Sequence, residues 1–402
     1  MSETTPHSLK SPDTRKHRAW LRGIYAGIFL YLFLCAINVM SGGLKMMANA
    51  ESSRARIESF FDFADNPFVA LLAAVLVTAI VQSSSFTTSM IITMAAAGTL
   101  KVDAAIFAVM GANIGTSVTG ILVSMANIRI RRQFRRAFTA ALVHDVFNLL
   151  SVAVLFPIEW IFHPLSRLAG LIAQGMGFET AGKPDGPIKF ITKPVVELVR
   201  AAVDLFFESP ALIGLFMAIV GLLLLFLSLV MLMTNLRDAL LSRLEALFQS
   251  LFFRNDLLAG IVGMITTVLV QSSSITTSLI VPLAGAGAVK LRQVFPFMLG
   301  ANIGTTVTGV IAAAAVFDDP ASVFNEKGIA VTVATSHVLF NVAGICIWYP
   351  LKIVPLALAS WYGRVAAHST RYAFLFLLTV FIVIPVIGLL ITELLTSPPP
   401  GP

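Results

Sequence analysis

Two runs in this chain concentrate uncharged oxygen donors where everything around them is apolar. Residues 81–90 read VQSSSFTTSM and residues 270–279 read VQSSSITTSL, identical at eight of ten positions. The amide and hydroxyls of Gln82, Ser83, Ser84, Ser85, Thr87, Thr88 and Ser89, with their second-copy partners, are hard oxygen ligands. Such a set suits a dehydrated alkali cation and not a transition metal, which would want His or Cys. If either run breaks a helix, the new N-terminus offers free N–H groups and a dipole end that favour an anion, and serines there add O–H donors. The chemistry these residues suit is an oxyanion bound together with cations. Neither run contains Arg or Lys, so bound cations must supply the positive charge, and anion binding is then coupled to theirs. The plainer alternative is that small Ser and Thr residues only let helices pack closely.

The echo continues. Gly111–Gly120 is GANIGTSVTG and Gly300–Gly309 is GANIGTTVTG, at the same offset of 189 residues that separates Gln82 from Gln271. At an offset of 193 follow His144-x-x-Phe147-Asn148 and His337-x-x-Phe340-Asn341. Three ordered matches with one small slip mark an internal duplication. The glycines permit a non-helical kink, so Asn113 and Thr116, with Asn302 and Thr305, can turn oxygens toward an ion; the alternative is a packing kink. His144 and Asn148, like His337 and Asn341, share a helix face at i, i+4 spacing, which suits bracing the polar runs better than ligating an ion. Asp145 is an ionisable residue inside an apolar span and so a functional candidate, although position 338 in the second copy is Val. Asp103 stands at a helix start, where it can serve simply as a cap.

Composition sets the surroundings. The 402 residues are 57% hydrophobic and only 12% charged, with a mean hydropathy of +0.87. Apolar windows of about 20 residues recur, the length that crosses a bilayer. That excludes a soluble globular protein, and the net charge of +7 reads as topology, not as a nucleic-acid signal. Cys35 and Cys346 both lie in apolar windows and offer no metal-ligand spacing. Residues 1–22 form a basic tail, expected to be cytoplasmic.

Spans are expected at about 23–44, 104–126, 137–156, 211–234, 294–316, 329–349 and 373–394. Between them, 67–97 and 257–288 carry the polar runs at their centres and are expected as re-entrant helical hairpins, since irregular backbone at membrane depth must be enclosed by protein. The chain divides into a first repeat (23–156), an extracytoplasmic connection with an interfacial helix (157–208), a second repeat (209–350) and a remainder (351–402) with a linker, a final span and a short tail. Basic residues test this order. Lys10, Arg15, Lys16, Arg18 and Arg22 precede the first span, and Arg129, Arg131, Arg132, Arg135 and Arg136 follow the second. Arg237, Arg243 and Arg254 follow the fourth span, and Lys352, Arg364 and Arg371 the sixth. All four groups fall on one side, as the positive-inside rule requires, and the acidic loop with Asp318, Asp319 and Glu326 falls on the other. Three crossings per repeat invert the second copy, and inverted repeats with broken polar helices belong to alternating-access transporters. The expected fold is an all-α membrane protein of two inverted repeats, each with a QSSS hairpin and a broken helix, plus one extra span. Its N-terminus is then cytoplasmic and its C-terminus extracytoplasmic, in a plasma or inner membrane.

At the paired QSSS motifs, the paired G-x-N-I-G-T-[ST]-V-T segments and RRAFTAALVHDVFNLLSV after the basic loop, the sequence resembles the type II sodium/phosphate cotransporter family, over about Leu30 to Ile382. It is similar to a pared-down, bacterial-type member. The resemblance implies sodium-coupled import of inorganic phosphate, with sodium as co-substrate and no cofactor. Phosphate is then held by Ser83, Ser84, Ser85, Ser272, Ser273 and Ser274. The sodium positions it implies are Gln82, Thr87, Thr88, Asn113, Thr116 and Ser117 in the first copy. Gln271, Thr276, Thr277, Asn302, Thr305 and Thr306 are their second-copy equivalents. Sulfate or arsenate would satisfy the same donors, and a proton could replace sodium. A passive anion channel is disfavoured because no charged ring is present. An intramembrane hydrolase using Ser83–Ser85 with His144 and Asp145 is disfavoured because adjacent helical residues point about 100° apart. No enzyme activity is expected.

Overall fold

In lipid a chain must satisfy its own backbone, and a helix does so locally. The computed structural model describes residues 12–48, 50, 64–176, 187–247, 255–316 and 325–396, and among them helices are the only regular structure. The first half holds α1 (Pro12–Ala48), α2 (Pro67–Val81), α3 (Ser84–Ala96), α4 (Val102–Gly115), α5 (Val118–Ser124), α6 (Arg131–Phe162) and α7 (Pro164–Gly175). After α8 (Pro187–Asp204), the second half holds α9 (Pro210–Leu247), α10 (Asp256–Val270), α11 (Ser273–Ala286), α12 (Leu291–Ala315), α13 (Glu326–Trp348) and α14 (Ile353–His368). Beyond them α15 (Arg371–Leu378) and α16 (Ile384–Thr396) are joined by a π-turn. Seven helical stretches among the described residues are long and apolar enough to cross a membrane, and they lie where the sequence places them. The stretch Val102–Asn127 has 83% of its apolar window buried, whereas Arg371–Leu395 has 11%; the first is core and the second faces outward.

Both halves build their polar run alike. Asn66 caps α2 by accepting from Phe68 and Val69 N–H, and Asn255 caps α10 by accepting from Leu258 N–H. Within each half, the first helix of the polar segment packs against the helix that carries GANIG, α2 on α4 and α10 on α12. Glycine makes this contact possible. A Cβ on Gly111 would lie 2.1 Å from Leu71 O, and one on Gly300 only 1.8 Å from Gly260 O. Gly111 and Gly300 sit within helices and bring two backbones together, so the expected kink is not at these two positions. The expected broken helix occurs in the first copy alone, between Gly115 and Val118; α12 runs unbroken through Gly300–Gly309.

The second helices of the polar segments cross over. α3 packs on α12 and α13 of the other half, and α11 packs on α5 and α6. The short helices do the same, α7 on α13 and α14 on α6. α1 and α9 pair along their length. α8 lies along α1: the Tyr31 hydroxyl donates to Ile191 O at 2.8 Å, and Val203 packs near Met46. Three elements extend beyond the expected spans: α9 continues past 234 to Leu247, α14 lies within the expected linker, and α1 begins at Pro12 inside the expected tail.

Two polar contacts join helix ends that are far apart in the chain. Lys45, closing α1, pairs with Glu326, opening α13. Arg131, opening α6, contacts His368 Nδ1 at 2.7 Å at the end of α14. Lys10, Arg254, Asp318, Asp319 and the C-terminal tail lie outside the described residues.

Candidate functional site

Each QSSS run is a helix break made by two residues. Gln82 (φ 60°) and Gln271 (φ 56°) end their helices in the left-handed conformation, which non-glycine residues adopt at a cost of about 1 kcal/mol or more. The next residue starts a new helix: Ser83 accepts from Phe86 N–H and Ser272 from Ile275 N–H, both at 3.3 Å. The glutamine side chain seals the break. Gln82 Nε2 donates to Ala79 O, and Gln271 Nε2 to Val268 O at 2.7 Å, each satisfying an orphan carbonyl of the helix end. On the other side of each amide, Thr119 Oγ1 donates to Gln82 Oε1 at 2.8 Å and Thr308 Oγ1 to Gln271 Oε1 at 3.0 Å. These threonines were missed in the sequence, although both occupy the ninth position of the repeated decapeptide.

The two breaks come together. Ser85 Oγ lies 3.4 Å from Gln271 O and 3.3 Å from Thr308 Oγ1, across 186 and 223 residues of chain. Each polar helix also lies on the other half's GANIG segment. A Cβ on Gly120 would stand 4.0 Å from Thr277 Oγ1, and one on Gly309 3.4 Å from Thr88 Cγ2. Ser84, Ser85, Ser272 and Ser273 are buried, and Ser83 and Ser274 are half-buried. Two helix N-termini therefore carry free first-turn N–H groups and serine hydroxyls in one enclosed region, with no cationic side chain in either run.

Many of the expected cation ligands spend their hydroxyls on backbone. Thr116 bonds Ala112 O, Ser117 bonds Ile114 O, Thr305 bonds Ala301 O and Thr306 bonds Ile303 O. Thr87 and Thr276 bond back to Ser83 O and Ser272 O, and Thr277 to Ser274 O. Their oxygens keep a free lone pair each. Thr88 and Ser89 are buried with no hydrogen-bond partner. Both Asp145 oxygens are buried as well, with the Ser117 hydroxyl beside them. Asp103 at the start of α4 is exposed and stands apart from this region.

The His/Asn pairs brace the halves crosswise. His144 Nε2 contacts Asn302 Oδ1 at 2.6 Å, and His337 Nε2 faces Asn113 Oδ1 at 3.4 Å. Asn302 Nδ2 donates to Asn148 Oδ1 at 2.9 Å, Asn148 Nδ2 to Asn113 O at 2.9 Å, and Asn341 Nδ2 to Asn113 Oδ1 at 3.3 Å. With Nε2 of His144 held by an asparagine, no Ser-His-Asp triad is assembled from these residues.

Residues 32–178 and 198–355 match the family described as Na+/Pi-cotransporter. The chain is 33% identical to sodium-dependent phosphate transport protein 2A of Oryctolagus cuniculus over 431 residues, which cover 89% of this chain. It is 29% identical to sodium-dependent phosphate transport protein 2B of Homo sapiens over 443 residues, again 89% of this chain. The aligned region spans 65% of the first relative and 63% of the second. No solved structure matches the chain.

Proposed function

From the premise that the chain belongs to the Na+/Pi-cotransporter family, we propose that it is a secondary transporter coupling sodium to the import of inorganic phosphate. Relatives named as sodium-dependent phosphate transport proteins support this reading of the substrates. In it, phosphate sits between the two Gln-Ser breaks, held by hydroxyls and first-turn N–H groups of Ser83–Ser85 and Ser272–Ser274. Sodium is taken by the remaining amide, hydroxyl and carbonyl oxygens of the two runs and of the Asn113–Ser117 and Asn302–Thr306 segments. The observation that carries the proposal is the meeting of the two breaks, with Ser85 within 3.4 Å of the Gln271 carbonyl and matching Gln–Thr bonds behind each.

The electrostatics give the coupling. Two helix N-termini alone balance only part of a phosphate's charge, each acting as roughly half a positive charge. Bringing a multiply charged anion into an enclosed site without further cations is unfavourable. Sodium ions on the adjacent oxygens close the deficit, so each species binds weakly without the other. Alternating access then moves the shared site between the two sides, with α3 and α11 as the elements whose seating on the opposite half changes.

Equilibrium binding of radiolabelled phosphate to purified protein in detergent tests this directly. Binding is expected in sodium and at least tenfold weaker in equimolar potassium. It is expected to be lost in Ser84→Ala/Ser273→Ala. Equal binding in both salts, or full binding by the double variant, would overturn the assignment.

A further inference from the structure

The start of α6, the join between α11 and α12, and α14 enclose a cavity of about 490 Å³. Its polar lining is Arg135, Arg136, Lys290 and Arg364, with the hydroxyl-bearing Thr139 and Ser360. A second cavity of about 410 Å³ shares Arg135 and Arg364 and adds Arg131, Arg132 and His368. The two form one basic trough whose lining, among the described residues, includes no carboxylate. Among the described residues none of Arg132, Arg135, Arg136, Lys290 and Arg364 takes part in an ion pair. Asp256, the acid that opens α10 at this end, is already engaged by Lys352 at 2.9 Å.

The duplication supplies an internal control. At the repeat offsets, Arg135 and Arg136 correspond to Gly328 and Ile329, so the fold does not require cations there. Lys290 corresponds to Lys101, which is paired with Asp65 at 2.9 Å. Among the described residues, the equivalent positions of the other copy therefore carry no matching set of unpaired cations. Gly287 makes room for it: a Cβ there would come within 2.4 Å of Arg136 Nη1. Thr139 fixes its wall, since a Cβ on Gly363 of α14 would meet Thr139 Oγ1 at 2.0 Å.

We infer that this trough binds a phosphate group, distinct from the one proposed at the QSSS breaks. Forked guanidiniums from two helices, a lysine and two hydroxyls are the donor types that a phosphate's oxygens take. The group can belong to an anionic phospholipid headgroup at the membrane surface or to free inorganic phosphate. The inference does not rest on the identity of the transported ion.

Thermal unfolding in detergent separates the possibilities. Purified protein carrying Ser84→Ala/Ser273→Ala is titrated with inorganic phosphate, with phosphatidylglycerol, and with phosphatidylcholine as control; the background removes the proposed transport site. One of the two phosphates is expected to raise the melting temperature by several degrees, with no effect of phosphatidylcholine, and which one does so identifies the source. Adding Arg135→Gln/Arg364→Gln is expected to weaken that ligand's apparent affinity at least tenfold, while Arg135→Lys/Arg364→Lys restores part of it. Should the Gln pair fail to fold, Lys290→Gln alone is expected to weaken affinity severalfold. No stabilisation by either phosphate, or equal stabilisation of the Gln variants, would overturn the inference.

Discussion

At the scale of single residues, a few buried side chains hold each broken helix in place. Thr308 donates to Gln271 Oε1 and stands 3.3 Å from Ser85 Oγ, so it ties one break to the other. Thr308→Val removes a buried hydrogen bond worth about 1 kcal/mol. Sodium-dependent phosphate affinity is expected to fall severalfold and to be retained in Thr308→Ser; equal affinity of the Val variant would sink this role. Asn302 is a junction between His144 and Asn148. Asn302→Ala leaves both partners buried and unpaired, at about 1–3 kcal/mol each, so the melting temperature in detergent should drop by several degrees. A double-mutant cycle of His144→Ala with Asn302→Ala should show clear coupling, and strict additivity would mean the contact carries no energy.

At the scale of elements, glycine spacing decides which helices can touch. Gly300 lets α12 approach the backbone of α10. In lipid, packing of this kind is a main source of helix association, and a Cβ 1.8 Å from a carbonyl oxygen has nowhere to go. Gly300→Ala is expected to prevent recovery of monodisperse protein, whereas Gly170→Ala, with nothing within 4 Å, should behave as wild type; normal size-exclusion profiles for both would contradict the argument. Much of this level was legible in the sequence. Apolar length gave the spans, and seven polar side chains in the middle of an apolar run demanded a break. The crosswise seating of α3 and α11 was not legible, because periodicity says which face is apolar and not which neighbour covers it. The unbroken α12 was missed because the same Gly-Thr motif serves a break in one copy and a packed helix in the other. Thr119 and Thr308 were readable as a duplicated identity, but their partners lie 37 residues away in the chain.

At the scale of the whole molecule, each half seats its second polar helix on the other half, an arrangement that suits the proposed carrier. Charge separates the ends: the basic start of α6 meets α14 at one end, and Lys45 meets Glu326 at the other. A single cysteine at position 135 should be labelled by an impermeant thiol reagent from the cytoplasmic side only, and one at 327 from the opposite side only; labelling of both from one side would break the proposed topology. The central claim is that sodium drives phosphate through the shared site. Its most direct test is phosphate uptake into proteoliposomes under an inward sodium gradient, compared with an equal potassium gradient. The account predicts transient accumulation above the equilibrium level with sodium, absent with potassium and absent in Ser84→Ala/Ser273→Ala. Equilibration without accumulation, at the same rate under either gradient, would contradict it.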